Sequence, residues 1–165
     1  MSETRRPSAA AHLARVSFLS TAGKASTLSA PMTNVPLSEL TSRMTRFRAC
    51  MDAECPEWEL AAFFGRINQY YFTGTMQDAL LLVPRNGDAV LWVRRSHERA
   101  RDESLFPAIR PMKSFRDALP AGATTWRTIH LETELAPLAL VERFRKHFAC
   151  GAVAALDGVI ARVRA

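Results

Sequence analysis

Asp78-Ala79-Leu80-Leu81-Leu82-Val83-Pro84-Arg85-Asn86-Gly87-Asp88-Ala89-Val90-Leu91-Trp92-Val93 is the stretch on which the fold turns. Ala79 to Val83 is an unbroken apolar run, the pattern of a strand buried on both faces, so it belongs in the middle of a sheet. Asn86-Gly87 is the dipeptide favoured in tight hairpin turns, which predicts that Ala89 to Val93 returns as an antiparallel partner.

Further strands are predicted on either side. Upstream, Trp58 to Phe64 is apolar and aromatic and is closed by Gly65. Downstream, Ile109 to Phe115 and Thr125 to Leu131 are bounded by Pro or Gly, and Ala152 to Leu156 is a brief strand candidate. Helical spacing separates them. Leu37, Leu40, Met44, Phe47 and Met51 recur at steps of three and four, with Arg43, Arg46 and Arg48 on the other faces, and Pro56 sets the limit of that helix. Ser96 to Ser104 reads as a short charged helix with Ser96 as its N-cap. Leu135, Leu138, Val141, Phe144 and Phe148 mark a helix within Thr133 to Phe148, and Val159, Ile160 and Val163 mark one starting near Asp157 and unfinished at Ala165. Alternating strands and helices with one hairpin predict an α/β fold, a mixed β-sheet of about five to six strands flanked by helices.

Residues 1–35 carry Ser, Ala and Thr with no sustained period, which predicts a disordered extension ahead of a domain spanning 36–165. Arg5-Arg6 resembles a twin-arginine signal, but His12 and Arg15 interrupt any apolar segment after it. The net charge of +6 is spread out: beyond residue 35 there are 18 basic and 15 acidic residues. No basic run is interleaved with aromatics, so nucleic acid is not expected as a partner. No run approaches the roughly 20 apolar residues of a membrane span. Three cysteines without secretory context fit a reducing, cytoplasmic location.

Catalytic signatures fail one by one. There is no Gly-rich phosphate loop and no Gly-x-Ser-x-Gly elbow. His97-Glu98 lacks a second His one turn later. Cys50, Cys55, His147 and Cys150 have zinc-compatible chemistry but not zinc-site spacing, and neither His130 nor His147 is placed by sequence to activate Cys55. One segment stands apart: Asn68-Gln69-Tyr70-Tyr71-Phe72-Thr73-Gly74-Thr75-Met76-Gln77-Asp78 reads as a loop between strands, rich in aromatics and amides, where binding residues concentrate. It also reads as a packed turn with Gly74 at positive φ.

Tyr71-Phe72-Thr73-Gly74, followed by the apolar strand, the Asn86-Gly87 hairpin, Val93-Arg94-Arg95 and the charged Glu98-Arg99-Ala100-Arg101 segment, resembles the N-terminal domain of the creatinase, prolidase and Xaa-Pro aminopeptidase family. The likeness runs from about Pro36 to Ala165. It implies a non-catalytic domain that contributes to a homodimer interface and to one wall of an active site, with a peptide carrying proline at its second position as substrate. The two divalent metals it implies (manganese, cobalt or zinc) would be held by a C-terminal catalytic domain not contained in this chain. Carried over by position, the residues implied to reach that site are Asn68, Tyr71 and Arg94, with Asp78 as a possible charge donor where Asn68 replaces the acid of many relatives. No catalytic or metal-ligating residue is expected in the chain itself. The alternatives are a creatinase-like or non-peptidase relative of the same architecture, and a free-standing protein-interaction module.

Overall fold

The computed structural model describes residues 34–120 and 125–165. Of the expected extension, residues 1–33 lie outside the described residues. At its end Val35 already packs on the core, and Asn34 donates to the Asp102 carbonyl.

The elements run α1 (Leu37–Glu54), β1 (Leu60–Phe63), α2 (Arg66–Thr73), β2 (Ala79–Pro84), β3 (Val90–Val93), α3 (His97–Glu103), β4 (Ile109–Pro111), a 3-10 turn (Phe115–Ala118), β5 (Trp126–Leu131), α4 (Leu138–Arg145), β6 (Cys150–Ala155) and α5 (Asp157–Arg164). The six strands form one sheet in the order β4-β3-β2-β1-β5-β6. β2 is antiparallel to both of its neighbours, and every other pairing is parallel. Five strands therefore end on one edge of the sheet, where β2 begins. This mixed α/β sheet is the architecture that the apolar run and its hairpin predicted, with the run Ala79 to Pro84 as an inner strand.

Alternation along the strands divides the core in two. Ala61, Phe63, Leu81, Val83, Leu91 and Val93 face α1, α2 and α5. Leu60, Ala62, Leu80, Leu82, Ile129 and Leu131 face Phe144 and Phe148 of the α4 segment. Phe47 of α1 is fully buried and meets Trp58, Phe63 and Phe72 edge-on or nearly so, at centroid distances of 6.2, 5.2 and 5.4 Å. That geometry suits the aromatic quadrupole and fastens α1 and α2 to the sheet.

Several local expectations are corrected. The segment 68–78, expected as a loop, is helical in its first part, through Thr73. Its aromatic and β-branched residues are poor helix formers in isolation, but burial of Phe72 against Phe47 and Phe63 overrides propensity. Gly74 ends that helix at φ 78°, its N–H donating to the Tyr70 carbonyl, as the turn reading of Gly74 required. The hairpin is present, but its strands stop at Pro84 and Val90, so the connection is longer than a two-residue turn. Gly87 adopts φ 108° there, and the Arg48 guanidinium ties the loop down through the carbonyls of Arg85 and Gly87. The strand expected over Ile109–Phe115 ends at Pro111, because Ser114 and Asp117 form a capping box that starts the 3-10 turn. α4 starts only after Pro137, which leaves Leu135 outside it and Leu138 exposed. Ser96 precedes α3 in the left-handed region and makes no side-chain cap.

Candidate functional site

The edge where β1, β3, β4, β5 and β6 end is where ligands gather in open α/β sheets. β1 delivers the chain through Phe64 and Gly65 into α2, and β5 ends at Leu131 beside it. The next residue, Glu132, is fully buried. Its carboxylate accepts from the backbone N–H groups of Phe64 and Gly65, at 2.5 and 2.6 Å, and from Asn68 Nδ2 at 2.5 Å. A carboxylate at the first turn of a helix satisfies donors that no helical carbonyl can reach and complements the helix dipole.

Asn68 is only 5% exposed. While its amide nitrogen serves Glu132, its Oδ1 accepts from Arg164 Nη1 at 2.8 Å. Tyr71 lies one turn further along α2. Its hydroxyl donates to the Val163 carbonyl at 3.1 Å and accepts from Arg46 Nη2 at 3.2 Å. The ring lies 4.4 Å from the Arg43 guanidinium carbon and 5.8 Å from that of Arg164. Together, Asn68 and Tyr71 seat the last turn of α5 on α2.

Asp78 and Arg94 form a second pair. Asp78 Oδ2 accepts from Arg94 Nε and Nη2 at 3.1 and 2.7 Å, and the Arg94 backbone N–H donates to the Asp78 carbonyl. They flank the start of β2 and the end of β3, on the same sheet edge. The four residues carried over by position thus form two separate pairs, one internal and one exposed. Gln69 joins them: buried, it donates to the carbonyls of Phe63 and Ala79.

Glu132 and Arg164 belong to this corner but were not singled out by sequence reasoning. An acid directly after the predicted strand Thr125 to Leu131 was the available signal for Glu132. Nearby, Glu103 accepts from Thr75, Gln77 and Arg99. Burial acts to raise its carboxyl, but those hydrogen bonds outweigh burial and hold it below the ordinary 4.5. His130, on β5 two residues before Glu132, is 5% exposed, its Nδ1 is buried without a partner, and burial depresses its pKa.

Among the described residues no group of three or more His, Cys, Asp or Glu side chains could hold a metal ion. The three cysteines are free thiols. Among the described residues no helix is long and apolar enough to cross a membrane.

A mixed six-stranded α/β sheet with helices on both faces, whose polar corner ties β5, α2 and α5 together, defines the class of fold. Residues 43–165 match the Creatinase/Prolidase N-terminal domain family, and the chain belongs to that family. Solved structures agree in fold. The chain is similar to the prolidase of Pyrococcus horikoshii OT3 (TM-score 0.63, 20% identity), with 74% of this chain and 35% of that one covered. It is also similar to the Creatinase/Prolidase N-terminal domain of an X-Pro dipeptidase from Streptococcus pyogenes (TM-score 0.61, 20% identity, 73% and 98% covered). A third is the Xaa-Pro aminopeptidase from Streptococcus thermophilus (TM-score 0.60, 16% identity, 76% and 98% covered). The chain spans about a third of the length of the Pyrococcus prolidase it matches. No curated protein matches it.

Proposed function

We propose that this chain is the non-catalytic N-terminal domain of a metal-dependent Xaa-Pro aminopeptidase or dipeptidase. In that role it packs against a catalytic domain of its own polypeptide, contributes to a homodimer interface and forms one wall of an active site for peptides with proline at the second position. The two metals and the residues that activate water belong to the other domain, and the location is cytoplasmic.

The observation that carries this reading is the seating of α5 against Asn68 and Tyr71 at the ligand-gathering edge of the sheet. A chain continuing past Ala165 would leave from beside that edge. Ile67, Leu135 and Leu138 are exposed by 63, 58 and 74%, and an ideal Cβ on Gly65 would lie 2.9 Å from Leu135 Cδ1, which places Leu135 over the start of α2. Leu135 and Ile67, flanking the start of α2, offer apolar contacts to a neighbouring domain in this reading. Asp78 and Arg94, exposed on the same edge, are the side chains positioned to face a substrate from this wall.

Hydrolysis of an Xaa-Pro dipeptide by the purified chain, with added manganese or cobalt, tests the reading: none is expected, and metal-dependent turnover overturns it. The same exposed side chains favour, as a second reading, a free-standing interaction module. Such a module would keep Ile67, Leu135 and Leu138 for a separate partner, so sequence encoding the metal ligands downstream of Ala165 eliminates it.

A further inference from the structure

A cleft of about 210 Å³ opens on the face of the sheet that carries α4, and its charged lining is wholly basic. Arg94 enters it from the end of β3 and Lys113 from just beyond β4, while Arg143, Lys146 and His147 enter from the end of α4 and the turn after it. The Ser114 hydroxyl and the Phe115 ring complete the wall. Cations at the end of α4 have a local reason, since they complement the negative pole of the helix dipole. That reason does not extend to Lys113 or Arg94, which approach from the sheet. Among the described residues the side chains of Lys113, Arg143 and Lys146 make no ion pair or hydrogen bond. Of the nearby acids, Asp78 holds Nε and Nη2 of Arg94, Asp117 accepts from the backbone N–H groups of Lys113 and Ser114 beside the Lys113 charge, and Glu142 of α4 lies one turn before Lys146, outside the cleft lining. No carboxylate lines the cleft.

We infer that this cleft is an anion site for a small phosphorylated metabolite, with one or two phosphate groups held between Lys113 and the Arg143–Lys146 face and an apolar portion against Phe115. The volume lies below the roughly 300–1,000 Å³ of pockets that take drug-sized ligands, which suits a small anion. Arg143 supplies a planar fork that fits two phosphate oxygens, and the lysines supply point charges whose attraction survives small shifts of the ligand. The site uses no metal and no second domain, and it shares only Arg94 with the proposed active-site wall, so its test is read at Arg143 and Lys146.

Calorimetric titration of the full chain with inorganic pyrophosphate, at an ionic strength of about 0.15 M where exposed charges are screened beyond ~8 Å, tests it. Saturable one-to-one binding is expected, weakened at least tenfold in the double variant Arg143→Gln/Lys146→Gln. Both substituted side chains are exposed, so the fold persists, and unchanged circular dichroism verifies this. Arg127→Gln, an exposed arginine on β5, should leave affinity unaltered. Absence of saturable binding overturns the site. So does equal weakening by Arg127→Gln, which would reduce the effect to diffuse surface charge, or full affinity in the double variant.

Discussion

Asn68 and Arg164 are 96 positions apart in the chain, yet Arg164 Nη1 lies 2.8 Å from Asn68 Oδ1, joining the last turn of α5 to the first turn of α2. Since the same Asn68 amide donates to the buried Glu132, one side chain couples the end of β5, the start of α2 and the end of the domain.

Glu132 is the keystone of that arrangement. Glu132→Gln keeps the size but turns one acceptor into a donor that faces other donors, so at least one buried N–H is left unmatched. Such a loss costs about 1–3 kcal/mol. Urea unfolding should show a lower midpoint with an unchanged slope. A midpoint equal to the parent's would mean the carboxylate is dispensable.

Tyr71→Phe removes one hydroxyl that both donates to Val163 and accepts from Arg46, while the ring and its stacking remain. The expected loss is about 1 kcal/mol. It should be concentrated in α5, visible as faster amide hydrogen exchange in residues 157–164 than in β1 or β2. Uniform acceleration across the domain would contradict this assignment.

Two glycines around α2 fail for different reasons when replaced by alanine. At Gly65 a Cβ would lie 2.8 Å from Glu132 Oε1 and 2.9 Å from Leu135 Cδ1, and Leu135 is exposed and can yield whereas Glu132 is buried. Disrupting that carboxylate makes Gly65→Ala destabilising by roughly 1–3 kcal/mol. Gly74 has room, with nothing nearer than 3.6 Å, and only its φ of 78° opposes a side chain, so Gly74→Ala costs about 1 kcal/mol and Gly74→Asn less. Thermal unfolding of the three variants checks the order.

His130 adds an acid limb to stability. Its folded pKa lies below the ordinary 6.5, so the unfolded chain takes up a proton first as pH falls. Stability from this group is therefore full above pH 6.5 and is lost as pH drops toward the folded value. His130→Leu removes the limb. The difference in unfolding free energy between parent and variant should change through this window and be constant above it. A difference that does not vary with pH would exclude His130 as its source.

Asp78→Ala should behave differently from all of these. The Asp78–Arg94 pair is exposed, with side chains 27 and 44% accessible, and exposed pairs contribute about 0–1 kcal/mol. A small change in unfolding midpoint is expected, because the pair contributes little to folding. A loss above ~2 kcal/mol would make the pair structural.

Most of the sheet was legible because burial on two faces writes an unbroken apolar run, as in Leu80-Leu81-Leu82-Val83, and because Pro56 limits α1 by backbone geometry. The helix Arg66–Thr73 was not legible. Only eight residues long, and rich in aromatics, it is stable because Phe72 is buried, and burial is a property of the whole fold. The extent of α4 was overstated for the opposite reason: Leu135 and Leu138 keep the helical spacing but face solvent, and the helix waits for Pro137.

The sequence by itself determined the architecture, through hydrophobic periodicity and punctuation, and Tyr71-Phe72-Thr73-Gly74, set in order before the apolar strand, the Asn86-Gly87 hairpin and Val93-Arg94-Arg95, pointed to the family. It named Asn68, Tyr71, Asp78 and Arg94 as neighbours of a site. Only the tertiary structure decided how they are used: Asn68 and Tyr71 are turned inward to hold α5, while Asp78 and Arg94 face out as a pair. The physical reason is that a polar side chain's role depends on which donors and acceptors folding brings within hydrogen-bond reach. Glu132 and Arg164, 64 and 96 positions from Asn68, meet it only once the sheet has formed.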